Sequence, residues 1–167
     1  MPTGGHVLAR TLPAATLLAA GLPVLASWGL DGNGDAPGGW LPFAPALLMG
    51  AVLILQQLAQ APRPGPDRLP DRRSLRRWLA FTAASGRLPE DPPTRVAAGA
   101  LACAQLETAV LTLSAVTGMI AAWFLRPAPW WAVTALLLLP AALLPLVRAR
   151  RAWRYLEALH GPTTDRR

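Results

Sequence analysis

Four long apolar runs, fifteen of sixteen arginines in alternate connecting segments, and the absence of any residue set suited to chemistry together predict the fold class. The class is all-α: a four-transmembrane-helix bundle with a basic amphipathic helix between its second and third spans. The whole chain, 1–167, reads as a single integral membrane domain. Hydrophobic residues make up 53% of it and charged residues 15%, against about 25% charged in ordinary soluble domains. The shortfall is local, because charge-free runs separate charge-rich ones. A small soluble core would have to bury such runs on every side, which disfavours that alternative.

The first run, 11–30, meets the roughly twenty apolar residues needed to cross about 30 Å of hydrocarbon. It contains Pro13 and Pro23, which membrane helices tolerate. A cleaved signal peptide is the competing reading, with Arg10 as its basic region and Val24-Leu25-Ala26 as a weak cleavage site. The long run and the late arginine fit a retained helix better. A glycine-rich loop, acidic at Asp31 and Asp35, leads to the second span, 41–60, which turns polar at Gln56, Gln57 and Gln60.

The cytosolic loop 62–95 carries eight arginines and four acids. Its proline-rich start, 62–66, reads as a stiff linker. Asp71 is placed to cap a helix beginning at Arg72. Leu75, Trp78, Leu79 and Thr82 then share one face, and Arg72, Arg73, Arg76 and Arg77 take the other. Gly86 ends this helix. Asp91, with Pro92 in the first helical position, opens the next one. That helix is expected to reach Leu125, about 50 Å at 1.5 Å per residue, so its membrane span is placed at 106–125. A turn at Arg126 precedes the fourth span, 129–147. The cytosolic tail, 148–167, continues as a basic helix to Gly161-Pro162.

Cytoplasmic segments of membrane proteins are enriched in Arg and Lys. With both termini and the 62–95 loop in the cytoplasm, the inner segments hold one, eight and six arginines, and the outer loops hold only Arg126. Tryptophan favours headgroup depth. Trp28, Trp40, Trp123, Trp130 and Trp131 fall at the outer ends of spans, and Trp78 and Trp153 fall in the basic inner segments. The expected location is the inner (plasma) membrane, crossed several times.

Two groups of residues stand out. Arg72, Arg73, Arg76, Arg77 and Trp78 suit contact with an anionic inner leaflet or a cytosolic protein, with Leu75, Trp78 and Leu79 adding insertion. One tryptophan is too few to argue for nucleic acid, and none is expected. Glu107, with Gln56, Gln57, Gln60 and Gln105 as neighbours, would make a polar intramembrane site for a proton or cation. The alternative sets Glu107 at the inner headgroup boundary near Arg95, and its place one turn inside the span favours that. Small residues at Ser114, Gly118 and Ala122, and at Ala46 and Gly50, allow close helix approach within the bundle or in a homo-oligomer. The single cysteine, Cys103, excludes an internal disulfide and a CxxC pair. His6 and His160 lack metal-ligand companions. No cofactor is expected.

The segment 78–98, followed by Gln105-Leu106, resembles one found in small uncharacterised multipass membrane proteins of high-GC bacteria. Gly86-Arg87-Leu88-Pro89-Glu90-Asp91-Pro92 is its most distinctive part. The resemblance implies a four-helix architecture with a cytosolic segment at this motif, and no activity. Quinone-linked thiol oxidases need cysteine pairs that are absent here, and small multidrug exporters carry a deep acid in a first helix that here has none. The function expected is that of a non-enzymatic accessory or scaffold protein with a basic cytosolic face. The alternative is a small oligomeric transporter or channel subunit using Glu107 and the glutamines.

Overall fold

A computed structural model describes residues 2–28, 44–59, 71–125 and 129–161. The loop 31–39, the linker 62–66, Trp40, Gln60, Arg126 and the last six residues lie outside the described residues, as do the side chains of Ala46, Trp28, Trp130 and Trp131. The described residues are all-α, forming five helices in the order α1 (Gly4–Trp28), α2 (Ala44–Ala59), α3 (Arg72–Ser85), α4 (Pro92–Leu125) and α5 (Pro129–His160). Among the described residues two helices are long and apolar enough to cross a membrane, Gly4–Ser27 and Pro92–Leu125. The second expected span is represented by the 16 residues of α2, about 24 Å long at 1.5 Å per residue and short of the hydrocarbon thickness. The fourth forms the first part of α5 and runs unbroken into the basic tail.

Local chemistry sets the helix ends. α1 starts seven residues before the apolar run because Thr3 caps it, its Oγ1 accepting from the His6 amide at 3.4 Å and its carbonyl from the Val7 amide at 3.1 Å. Asp71 caps α3 through its side chain, which accepts from the Arg73 amide at 3.2 Å. Gly86 closes α3 in the left-handed conformation, φ 70°, and its amide donates to the Thr82 carbonyl at 2.8 Å. Asp91 then accepts from the Thr94 amide at 3.1 Å and opens α4, with Pro92 in the first helical position. α5 stops where the Gly161 amide donates to the Glu157 carbonyl.

The chain divides into two compact units, to each of which α1, α4 and α5 contribute. One comprises Met1–Ala9, Ala61–Thr108 and Pro145–Arg167, the other Arg10–Gln60 and Ala109–Leu144.

The first unit is built around α3. Leu75 and Leu79, 3% and 2% exposed, pack with Ala98, Ala102 and Leu106 of α4 and with Ala152, Tyr155 and Leu156 of α5. Alanines at 98, 102 and 152 are fully buried, and their small side chains leave room for the leucines and the tyrosine ring. Gly4 serves the same end: a Cβ there would meet the Trp153 ring at 2.7 Å.

In the second unit, Ala14 and Leu18 of α1 enclose Val52 of α2, and Ala26 packs with Met119 and Ala122 of α4. A Cβ on Gly118 would come within 3.0 Å of the Leu18 carbonyl and 3.1 Å of the Ala19 carbonyl. The Ser114-Gly118-Ala122 ridge is thus spent on packing within the chain. Among the described residues, nothing lies within 4 Å of a Cβ added to Gly50 on α2. Large apolar side chains line the outside of this unit: Leu47 and Leu58 of α2, Phe124 of α4 and Leu136 of α5 are each at least 68% exposed.

Candidate functional site

The outer face of α3 is strongly basic. Arg72, Arg73, Arg76 and Arg77 are all exposed, as the helical spacing predicts. None of the four makes a side-chain hydrogen bond or an ion pair among the described residues. Their charges are therefore open to an external anion.

The opposite face of α3 departs from expectation. Leu75 and Leu79 are already removed from water by α4 and α5. A membrane offers such side chains no further transfer gain, since burial stabilises only once. The expected insertion of these two leucines into lipid is therefore withdrawn. Trp78 departs too: it is 37% exposed and lies at the edge of the face, not in the core. It meets Phe81, 48% exposed, edge to face at 5.7 Å between ring centroids. With Ser74 and Arg77 the two rings form a shallow groove of about 390 Å³. Phe81 is a surface residue that sequence reasoning missed. Its place at i+3 from an aromatic residue was the available signal.

The connection from α3 to α4 fixes this surface in place. The Thr82 hydroxyl, buried, donates to the Arg87 carbonyl at 2.8 Å. Leu88 packs against the core, and Pro89 is fully buried. The Pro89 carbonyl accepts from both Nε and Nη2 of Arg95, at 3.0 and 2.8 Å. From the other side, the Arg154 guanidinium reaches the Ala83 carbonyl at 3.5 Å. The Gly86–Pro92 motif is therefore a helix-connecting turn in which glycine, leucine, proline and aspartate each have a structural task. The side chains of Arg87 and Glu90 stand out to solvent.

Glu107 is half-buried on α4 and interacts with another group of the chain. The expected closeness to Arg95 is not observed. Twelve residues of continuous helix separate the two, about 18 Å at 1.5 Å per residue, and the Arg95 guanidinium is engaged by Pro89. Gln105 is half-buried and lines a groove with Arg76. Gln56, half-buried, and Gln57, exposed, belong to α2 in the other unit.

Cys103 is a buried thiol outside any disulfide. The His160 ring donates through Nδ1 to the Leu156 carbonyl at 2.9 Å, a bond that ties it to its own helix. Among the described residues no three His, Cys, Asp or Glu side chains are grouped to hold a metal ion. The arrangement is suited to binding an anionic surface. No family model, no curated protein and no solved structure matches the chain.

Proposed function

We propose that the chain is a multi-pass membrane protein with four spans and both termini in the cytoplasm, acting as a non-enzymatic accessory or scaffold protein whose basic inner face binds anionic lipid and presents a docking surface to a cytosolic partner. Exposed leucines and aromatics around the second unit support immersion, since contiguous apolar surface of this kind marks contact with lipid or protein. α1 contributes to both cores, which supports a retained helix over a cleaved leader. The arginine asymmetry supports the orientation.

The observation that carries the functional reading is the state of α3. Its apolar face is locked into the protein while four exposed guanidinium groups and the Trp78–Phe81 pair face outward. Each basic residue near an anionic leaflet contributes about 1 kcal/mol. Partly exposed aromatics beside them suit headgroup depth.

A photo-crosslinking residue at position 81, introduced into the full chain in cells, tests this reading. It is expected to capture anionic phospholipid or a cytosolic protein. Replacing Arg72, Arg73, Arg76 and Arg77 together by Gln is expected to abolish capture while insertion survives. An unchanged capture pattern in that variant would overturn the reading.

A further inference from the structure

A second basic feature lies beside α3 in the same unit. A groove of about 190 Å³ is walled by Arg76 of α3, Gln105 of α4 and Arg148 of α5, which supply its polar groups together with Thr108. Its remaining wall is apolar: Leu101 and Ala104 of α4 and Pro145 of α5. The volume is several times the ~30 Å³ that one water occupies in the liquid, so it admits a small anion.

We infer that this groove seats the phosphate of one anionic phospholipid, with Arg76 and Arg148 as its charged ligands and the Gln105 amide as a neutral donor. No acidic side chain lines it. Neither guanidinium, nor the Gln105 carboxamide, has a hydrogen-bond or ion-pair partner among the described residues. Planar guanidinium groups grip phosphate oxygens in pairs, which makes arginine the favoured residue for this purpose. The Thr108 hydroxyl donates to the Ala104 carbonyl at 2.8 Å, so its proton is committed and it shapes the groove instead of donating.

Two features favour a lipid over free phosphate. The apolar wall of Leu101, Ala104 and Pro145 suits the glycerol and acyl beginnings of a lipid. Arg148 directly follows the charge-free run that ends at Val147. Arg148 thus stands at the apolar-to-polar boundary of its helix, where lipid phosphates lie. This inference rests on the membrane reading above, and it is more specific: it names one seat in place of a diffuse surface.

Titration of the full-length protein in neutral detergent with dioctanoyl phosphatidylglycerol tests it, with dioctanoyl phosphatidylcholine and inorganic phosphate as parallel probes. The glycerol lipid is expected to bind at least tenfold more tightly than either. Arg76→Gln with Arg148→Gln is expected to reduce that affinity tenfold or more. Arg150→Gln with Arg151→Gln, an equal change of charge at exposed residues outside the groove, is expected to reduce it less than threefold. Gln105→Leu, which leaves the charge unchanged, is expected to weaken it severalfold.

Equal losses in the two arginine pairs would overturn the seat and leave the diffuse basic face standing. Inorganic phosphate binding as tightly as the lipid would overturn the lipid assignment. No preference for the anionic lipid in any form of the protein would overturn both this inference and the lipid part of the function proposed above.

Discussion

The Tyr155 hydroxyl donates to the Arg95 carbonyl at 3.0 Å and so ties α5 to α4 across 60 residues of sequence. The phenol is buried in the core that holds α3, and this burial raises its pKa above the ordinary value of 10, opposed by the nearby Arg95 charge. Tyr155→Phe keeps the ring and removes the bond. It is expected to cost about 1 kcal/mol at neutral pH, read by denaturant unfolding in detergent.

The same tyrosine gives the wild type a pH dependence. Below pH 10 the phenol is neutral folded and unfolded, so its contribution is complete. Above that value the unfolded chain loses the proton first, and stability falls as pH rises through the raised folded pKa. Tyr155→Phe is expected to lack this part of the alkaline loss. Identical alkaline unfolding profiles for the two proteins would rule the mechanism out.

Gly86 tests the connecting turn. Its φ is 70° and an added Cβ meets nothing within 4 Å, so a substitution there probes the backbone alone. Gly86→Ala is expected to destabilise by about 1–2 kcal/mol. Gly86→Asn is expected to cost less, because asparagine tolerates the left-handed conformation. Equal costs would argue against the turn as the source.

Gly118 and Gly50 form a contrasting pair. Gly118→Val would push a side chain against the Leu18 and Ala19 carbonyls, and overpacking of this kind costs about 1–3 kcal/mol. Gly50→Ala has open space and is expected to be neutral or stabilising, by up to about 1 kcal/mol from helix propensity. Thermal unfolding of both variants decides the matter, and a harmless Gly118→Val would refute the close α1–α4 approach.

The proposed orientation predicts reporter activity. A reporter active only outside the cytosol, fused near Pro37, is expected to be active, and fused after Arg167 it is expected to be silent. The reverse pattern would overturn the orientation.

Helix ends were legible because their causes are local. Asp71, Gly86, Asp91 and Pro92 carry their capping chemistry within a turn of where it acts, and α3 and α4 begin at the residues so marked. The face of α3 was legible, and its destination was not. Leu75 and Leu79 show the same spacing whether they enter lipid or a protein core, and only the tertiary partners at Ala98, Ala102 and Tyr155 distinguish these. The groove was invisible for a related reason. Arg76, Gln105 and Arg148 come from three helices distant in sequence, and no periodicity links them. Gly118 and Gly50 had equivalent motifs, and what separates them is the backbone of α1 lying against one alone.

The sequestered face of α3 also determines how an encounter would unfold in time. Many amphipathic segments fold as they land on a surface, so their arrival waits on a conformational step. Here the helix is complete and anchored beforehand by Thr82, Arg95 and Arg154. Capture of an acidic partner by the proposed docking surface would then be limited by diffusion and steered by charge. Its rate would fall steeply as salt shortens the screening length from about 10 Å at 0.1 M.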